Sequence, residues 1–261
     1  RRKVDMKLNT LEGKVAIITG GGTGIGEAVA DMFADHGAYV IITGRSLETI
    51  LPVAERNNGT AIVCDVSKFE DVQKLFTKAQ LINGNIDILV NNAGIPGPVA
   101  PIAEVNVDQW KECAEINLFG AMYCMREAAR VMCAQKSGSI INMSSLMGIE
   151  GYPMRSAYTA TKFALVGMTE AVAREVGPNN VRVNVLLPGA VSGKNMNRIL
   201  EHRAEAEGRP ASEIERENYT DVAALKRWVD PKEVAKATLF YASDASSAIT
   251  GDKMKVCCGR F

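Results

Sequence analysis

The chain has 261 residues, 47% of them apolar and 23% charged, the balance of an ordinary globular protein. Lys plus Arg and Asp plus Glu both number 30, so no net field draws it to nucleic acid or an anionic membrane, and no apolar run is long enough to span a bilayer. Six scattered cysteines without a C-x-x-C pair, and only two histidines, His36 and His202, point to a reduced cytoplasmic protein and away from a His-based metal site or a Ser-His-Asp triad.

In chain order, residues 1–10 are charged and lack an apolar signal core, so they read as an N-terminal extension or tag remnant, with Met6 a candidate start. Residues 11–261 read as one domain. KVAIIT (14–19) is a buried strand that runs into Gly20, Gly21, Gly22, Thr23, Gly24, Ile25 and Gly26, then a helix capped near His36 and Gly37. Such a junction turns backbone N–H groups and the helix dipole toward a pyrophosphate, and glycines allow the tight turn and close approach. YVIIT (39–43) is the second strand, followed by Gly44, Arg45 and Ser46 with no acidic residue. A carboxylate there would hold the ribose hydroxyl of NAD; Arg45 beside Ser46 suits a 2′-phosphate, so NADP is the expected cofactor and NAD the alternative.

SLETILPVAERN reads as a helix that Pro52 should kink or delay. AIVCD (61–65) and IDILVN (86–91) are further strands, and between them Ser67 and Glu70 form an apparent capping box. SIINMS (139–144) precedes a helix that Ser156 would cap and Gly177-Pro178 would end. On that helix Tyr158 and Lys162 stand at i and i+4, on one face. An ammonium near a phenol favours the phenolate and makes tyrosine a usable acid/base. VRVNVLLP (181–188) leads into a charged insertion, 190–229, reading as two short helices split at 208–210. It leaves the carboxyl end of a strand, where ligands bind in such folds, and is expected to be a substrate lid. Asp230, Pro231 and Glu233 open a last helix as cap, first position and first-turn acid. Nearly continuous apolar strands alternating with helices give an α/β chain, a single doubly wound Rossmann-type parallel sheet with helices on both faces and a helical lid insertion.

The pieces TGGGTGIG (19–26), CDVS (64–67), NNAG (91–94), IN ending at Asn117, MSS ending at Ser145, YTATK (158–162) and PGAV (188–191) fall in one order over residues 11–260. In this the chain resembles the classical short-chain dehydrogenase/reductase family. The resemblance implies that Tyr158 exchanges the proton at the substrate oxygen. Lys162 would lower the tyrosine's pKa and hold the nicotinamide ribose, Ser145 would polarise the carbonyl, and Asn117 would support a water relay to Lys162. It places Gly20, Thr23, Gly24, Ile25 and Gly26 at the cofactor's diphosphate, Asp65 and Val66 beside the adenine, and Asn91, Ala93 and Gly94 below the cofactor. Pro188, Gly189, Val191 and Ser192 complete that set, and no metal is needed. The implied reaction moves a hydride between nicotinamide and a small carbonyl or alcohol substrate. A homotetramer or homodimer is implied, through helices around 108–134 and 156–176.

Two departures stand out. Gly193 occupies the place of a usual threonine, with Ser192 just before it, and VCCG (256–259) replaces V-D-G-G. For Cys257 and Cys258 buried packing is expected, a redox pair being the alternative. By analogy Met147, Tyr152, Met154, Arg155 and the polar residues Lys194, Asn195 and Arg198 face the substrate, which would suit a hydroxylated or anionic compound. A carrier-protein-bound oxoacyl group or a simple ketone fits equally. The rival readings are an NAD-dependent sugar or alcohol dehydrogenase, an isomerase or dehydratase on the same fold, and a non-catalytic dinucleotide-binding sensor. Intact Asn117, Ser145, Tyr158 and Lys162 weigh against the last.

Overall fold

A computed structural model describes residues 10–193, 196–197, 200–201, 204–205 and 208–260. The extension expected at 1–10 therefore lies, except for Thr10, outside the described residues. Seven strands form one sheet: β1 (Val15–Thr19), β2 (Tyr39–Gly44), β3 (Thr60–Val63), β4 (Ile88–Asn91), β5 (Gly138–Met143), β6 (Val181–Pro188) and β7 (Lys253–Val256). Their spatial order is β3-β2-β1-β4-β5-β6-β7, and every pair is parallel. The order reverses between β1 and β4, which makes the crevice at the carboxyl ends of those strands the switch point of the sheet.

Side chains alternate across the sheet, and each face has its own core. Ala16, Ile18, Val40, Ile42, Val90 and Leu186 pack with α1 (Gly24–Asp35), α2 (Leu47–Arg56) and the helix Pro231–Ala242. Val15, Ile17, Ile41, Leu89, Ile140 and Val183 pack with α3 (Phe69–Asn83), α5 (Gly120–Gln135) and α6 (Ser156–Val176). Between them α4 (Val107–Ala114) continues through a π-helical turn (Glu115–Phe119) into α5. The last helices are α7 (Ala211–Glu215), followed by a second π-turn (Arg216–Thr220), and α8 (Pro231–Ala242).

Several local expectations need correction. Ser67 caps nothing: α3 begins at Phe69 after Lys68, and the Ser67 hydroxyl instead donates to Asp65 Oδ1 at 2.7 Å. Ser156 is the first residue of α6, not its cap, and its hydroxyl accepts from Trp110 Nε1 at 3.3 Å. Pro52 neither delays nor breaks α2, because Ile50, Val53 and Ala54 around it are buried against the sheet and outweigh the one backbone bond that proline removes. The Asp230 capping box is present in full, with Asp230 accepting from the backbone of the first turn and Glu233 accepting from the Asp230 backbone. β7, with Lys253 and Lys255 alternating along a sheet edge, had no apolar run to announce it.

Candidate active site

The carboxyl ends of β1, β4, β5 and β6 lie along one edge of the sheet and carry the residues singled out above. At the end of β1, Thr19 Oγ1 accepts the backbone N–H groups of Asn92 and Ala93, each at 3.0 Å. Asn92 Nδ2 returns two bonds of 3.0 Å, to the carbonyls of Thr19 and Gly20. The glycine turn is thereby clamped to the NNAG segment. A Cβ on Gly26 would sit 2.3 Å from the Gly20 carbonyl oxygen, so only glycine lets the helix meet the turn. Gly24 has φ +59 and open space where a Cβ would be. Thr23, at the N-cap of α1, makes no side-chain cap bond, which leaves the first-turn N–H groups free to take an anion. The cradle thus fits a diphosphate.

Arg45 and Ser46 are exposed directly after β2, and Ser46 sits at the N-cap of α2 without a side-chain cap bond. A Cβ on Gly22 would stand 2.8 Å from the Thr49 carbonyl oxygen, so the start of α2 abuts the glycine turn. Asp65 Oδ1 accepts from Ser67 N at 3.1 Å, and Val66 is buried against Gly120. Asn91 is buried, donating to Asn142 Oδ1 at 2.9 Å. Gly94 borders both Asn117 and Lys162: a Cβ there would lie 3.1 Å from Asn117 Oδ1 and 3.7 Å from Lys162 Nζ.

Asn117 lies in the π-turn between α4 and α5, a distortion that often marks functional positions. Its Oδ1 accepts from Ile95 N at 2.8 Å and its Nδ2 donates to Ile95 O at 2.9 Å, which ties the helix to the loop after β4. Ser145 follows β5 and caps a short 3₁₀ turn by accepting from Met147 N at 3.2 Å. Its hydroxyl also faces the phenol of Tyr158 and favours the phenolate. Lys162 is buried, donates from Nζ to the Met143 carbonyl at 2.8 Å, and stands 5.3 Å from the Tyr158 ring centroid. The four residues named from the motifs therefore converge.

The electrostatics differ from the expectation in one respect. Burial pushes the Tyr158 phenol above its ordinary value, although the Arg155 guanidinium and the Ser145 hydroxyl pull it down. Burial also lowers Lys162 from 10.5 to about 8, because an ammonium without a carboxylate partner is costly away from water. Proximity of Lys162 does not, in this environment, overcome desolvation of the phenol.

On the far side of the crevice, Gly189 N donates to Val256 O at 2.9 Å, and a Cβ at Gly189 would meet Cys257 Cα at 3.0 Å. Cys257 is buried here and both Cys257 and Cys258 are free thiols, in line with packing. The insertion leaves and returns at one point: Val191 bridges Val229, and Ser192 N donates to Val229 O at 2.9 Å. Gly193 has φ +146, a backbone that a threonine would adopt only under strain. Lys194, Asn195 and Arg198 lie outside the described residues. The pattern reading passed over Thr19, Asn92 and the Met143 carbonyl. Thr19 and Asn92 lie inside the quoted motifs and could have been singled out there; a backbone acceptor leaves no mark in sequence. Among the described residues, no group of three or more His, Cys, Asp or Glu side chains could hold a metal ion, and no helix is long and apolar enough to cross a membrane.

Comparison with known proteins extends the likeness over the whole sheet. The family model described as Enoyl-(Acyl carrier protein) reductase matches residues 20–260. The 2,5-dichloro-2,5-cyclohexadiene-1,4-diol dehydrogenase of Sphingobium indicum is 33% identical, over 94% of this chain and 95% of its own. The 3-oxoacyl-(acyl-carrier-protein) reductase of Aquifex aeolicus is 34% identical, over 96% of this chain and 98% of its own. The crystal structure of an NAD+-bound xylitol dehydrogenase superposes with a TM-score of 0.89 at 28% identity, covering 95% of this chain and 99% of that one.

Proposed function

The chain belongs to the classical short-chain dehydrogenase/reductase family, and from that premise we propose that it is an NADP-preferring oxidoreductase with Tyr158 as its acid/base. It is an oxidoreductase acting on CH–OH or carbonyl groups of a small molecule, with a nicotinamide dinucleotide as cofactor. When bound, the dinucleotide supplies or accepts the hydride. The glycine cradle Gly20, Thr23, Gly24, Ile25 and Gly26 would take its diphosphate. Arg45 and Ser46 would take a 2′-phosphate, Asp65 and Val66 the adenine, and Asn91, Ala93 and Gly94 the floor. Pro188, Gly189, Val191 and Ser192 would close the site from the β6 side.

The chain's own residues handle the proton. Tyr158 holds it at the phenolic oxygen, where the Ser145 hydroxyl orients both the phenol and the substrate oxygen. Lys162 supplies positive charge beside the phenol, and Asn117 keeps the π-turn and the Ile95 loop in register behind it. The observation that carries this reading is the convergence of the Ser145 hydroxyl and the buried Lys162 on Tyr158, with Lys162 Nζ 5.3 Å from the ring centroid. The insertion 190–229 covers the substrate in this reading, residues 11–261 work as one domain, and the protein acts in the cytoplasm as a homotetramer or homodimer.

An NAD-dependent polyol or alcohol dehydrogenase is the second reading, favoured by the likeness to the NAD+-bound xylitol dehydrogenase. Fluorescence titration with NADPH and with NADH separates the two. The first reading expects NADPH to bind at least about tenfold more tightly, and Arg45→Ala to erase the difference, since one charge-assisted contact contributes on the order of 1.5–3 kcal/mol. Tighter binding of NADH by the unaltered protein would reject Arg45 as a phosphate reader.

A further inference from the structure

We propose that Arg155 is a positioning residue for the acid/base tyrosine: a second cation, besides Lys162, that holds the charge of the Tyr158 phenolate. The proposal rests on the reading of Tyr158 given above. Arg155 precedes α6, three residues before Tyr158, as Lys162 follows it by four. The two cations thus flank Tyr158 along the chain, one from the N-cap of the helix and one from the turn after it. The Arg155 guanidinium carbon stands 5.1 Å from the ring centroid, as near as Lys162 Nζ at 5.3 Å. It is fixed from two directions. Its Nη2 donates to the Pro96 carbonyl at 3.0 Å, and its backbone N–H donates to Tyr152 O at 3.3 Å.

The charge of this guanidinium is not spent elsewhere. Among the described residues it pairs with no carboxylate, and its buried Nε has no hydrogen-bond partner. An arginine cannot shed its proton, whereas burial brings Lys162 to about 8, so above that pH Arg155 is the cation that remains. The other groups facing Tyr158 are the Ser145 hydroxyl after β5 and the Cys113 thiol on α4. The hydroxyl favours the phenolate and the thiol opposes it.

The test needs neither substrate nor turnover. The six tyrosines are replaced biosynthetically by 3-fluorotyrosine, whose lower phenol pKa brings titration into a range that the fold tolerates. Tyr158→Phe identifies the Tyr158 fluorine resonance, and its shift is followed against pH. Arg155→Met is expected to raise the Tyr158 midpoint by about one unit and Arg155→Lys by less than half of that, with the Tyr123 midpoint unmoved. Arg155→Gln keeps a donor for the Pro96 carbonyl and removes only the charge, so it separates electrostatics from lost packing and should match Arg155→Met. Midpoints of Arg155→Met and Arg155→Gln that coincide with the unaltered protein would overturn the proposal. If Tyr158→Phe kept full turnover, the acid/base reading would fall instead, and this titration would still report whether the cation and the phenol are coupled.

Discussion

At the scale of the residue, Lys162 carries the clearest cost. Its folded pKa of about 8 lies below the 10.5 of an unfolded chain, so between those values the unfolded state binds more protons. Stability contributed at this position is therefore lowest below about pH 8 and recovers as pH rises toward 10.5, by on the order of 3 kcal/mol. Denaturant unfolding of the protein and of Lys162→Met across pH 7 to ~10.5 should show the gap in stability narrowing in favour of the lysine. Parallel curves would mean that Lys162 is solvated. That Ser145, Tyr158, Lys162 and Asn117 would come together was legible because each sits in a short ordered motif. Their supports were not. Asn117 is held by the Ile95 backbone, Lys162 by the Met143 carbonyl and Arg155 by the Pro96 carbonyl. Main-chain partners at that separation leave no pattern of side chains to read.

At the scale of the element, caps show where pattern and structure part. The Asp230–Glu233 box forms, while Ser67 and Glu70, at the same spacing, do not, because the Asx-type turn Asp65–Ser67 claims the serine first. Asp230→Ala should then lower stability by about 1 kcal/mol, read as a shift in thermal midpoint, and Ser67→Ala by much less. Equal losses would contradict the assignment. Six strands were legible from their apolar runs, with ends displaced by a residue or two at most of them. β7 was not, because an edge strand guarded by Lys253 and Lys255 looks like surface. The π-turn at Glu115–Phe119 was also hidden, since one extra residue per turn barely disturbs helical periodicity. The glycine turn is a tight junction: Gly26→Ala would press a methyl group 2.3 Å from the Gly20 carbonyl oxygen and should weaken NADPH binding more than tenfold. Unchanged binding would show that the turn is not the cradle.

At the scale of the whole molecule, a parallel sheet covered by helices on both faces follows from alternating buried strands and helices, and that much of the architecture could be read before any coordinate; the strand order could not, because the same alternation allows more than one. Assembly is a separate matter. Phe119, at the end of the π-turn before α5, and Phe163, on α6, remain 40% and 44% exposed on the segments proposed to meet a neighbour. Light scattering is expected to give two or four times the 28.1 kDa chain mass, and Phe163→Glu to shift it toward one. A monomer at working concentration would remove the assembly proposal without touching the chemistry.

That chemistry rests on Tyr158, and one comparison reaches it most directly. NADPH and NADH consumption would be followed for the protein and for Tyr158→Phe against a panel of cyclic diketones, ketoses and 3-oxoacyl thioesters, with cofactor affinity measured in parallel. The account predicts turnover of at least one panel compound, a fall of about 10²–10⁴-fold in Tyr158→Phe, and unchanged cofactor binding. Turnover that survives the loss of the hydroxyl undiminished would contradict it.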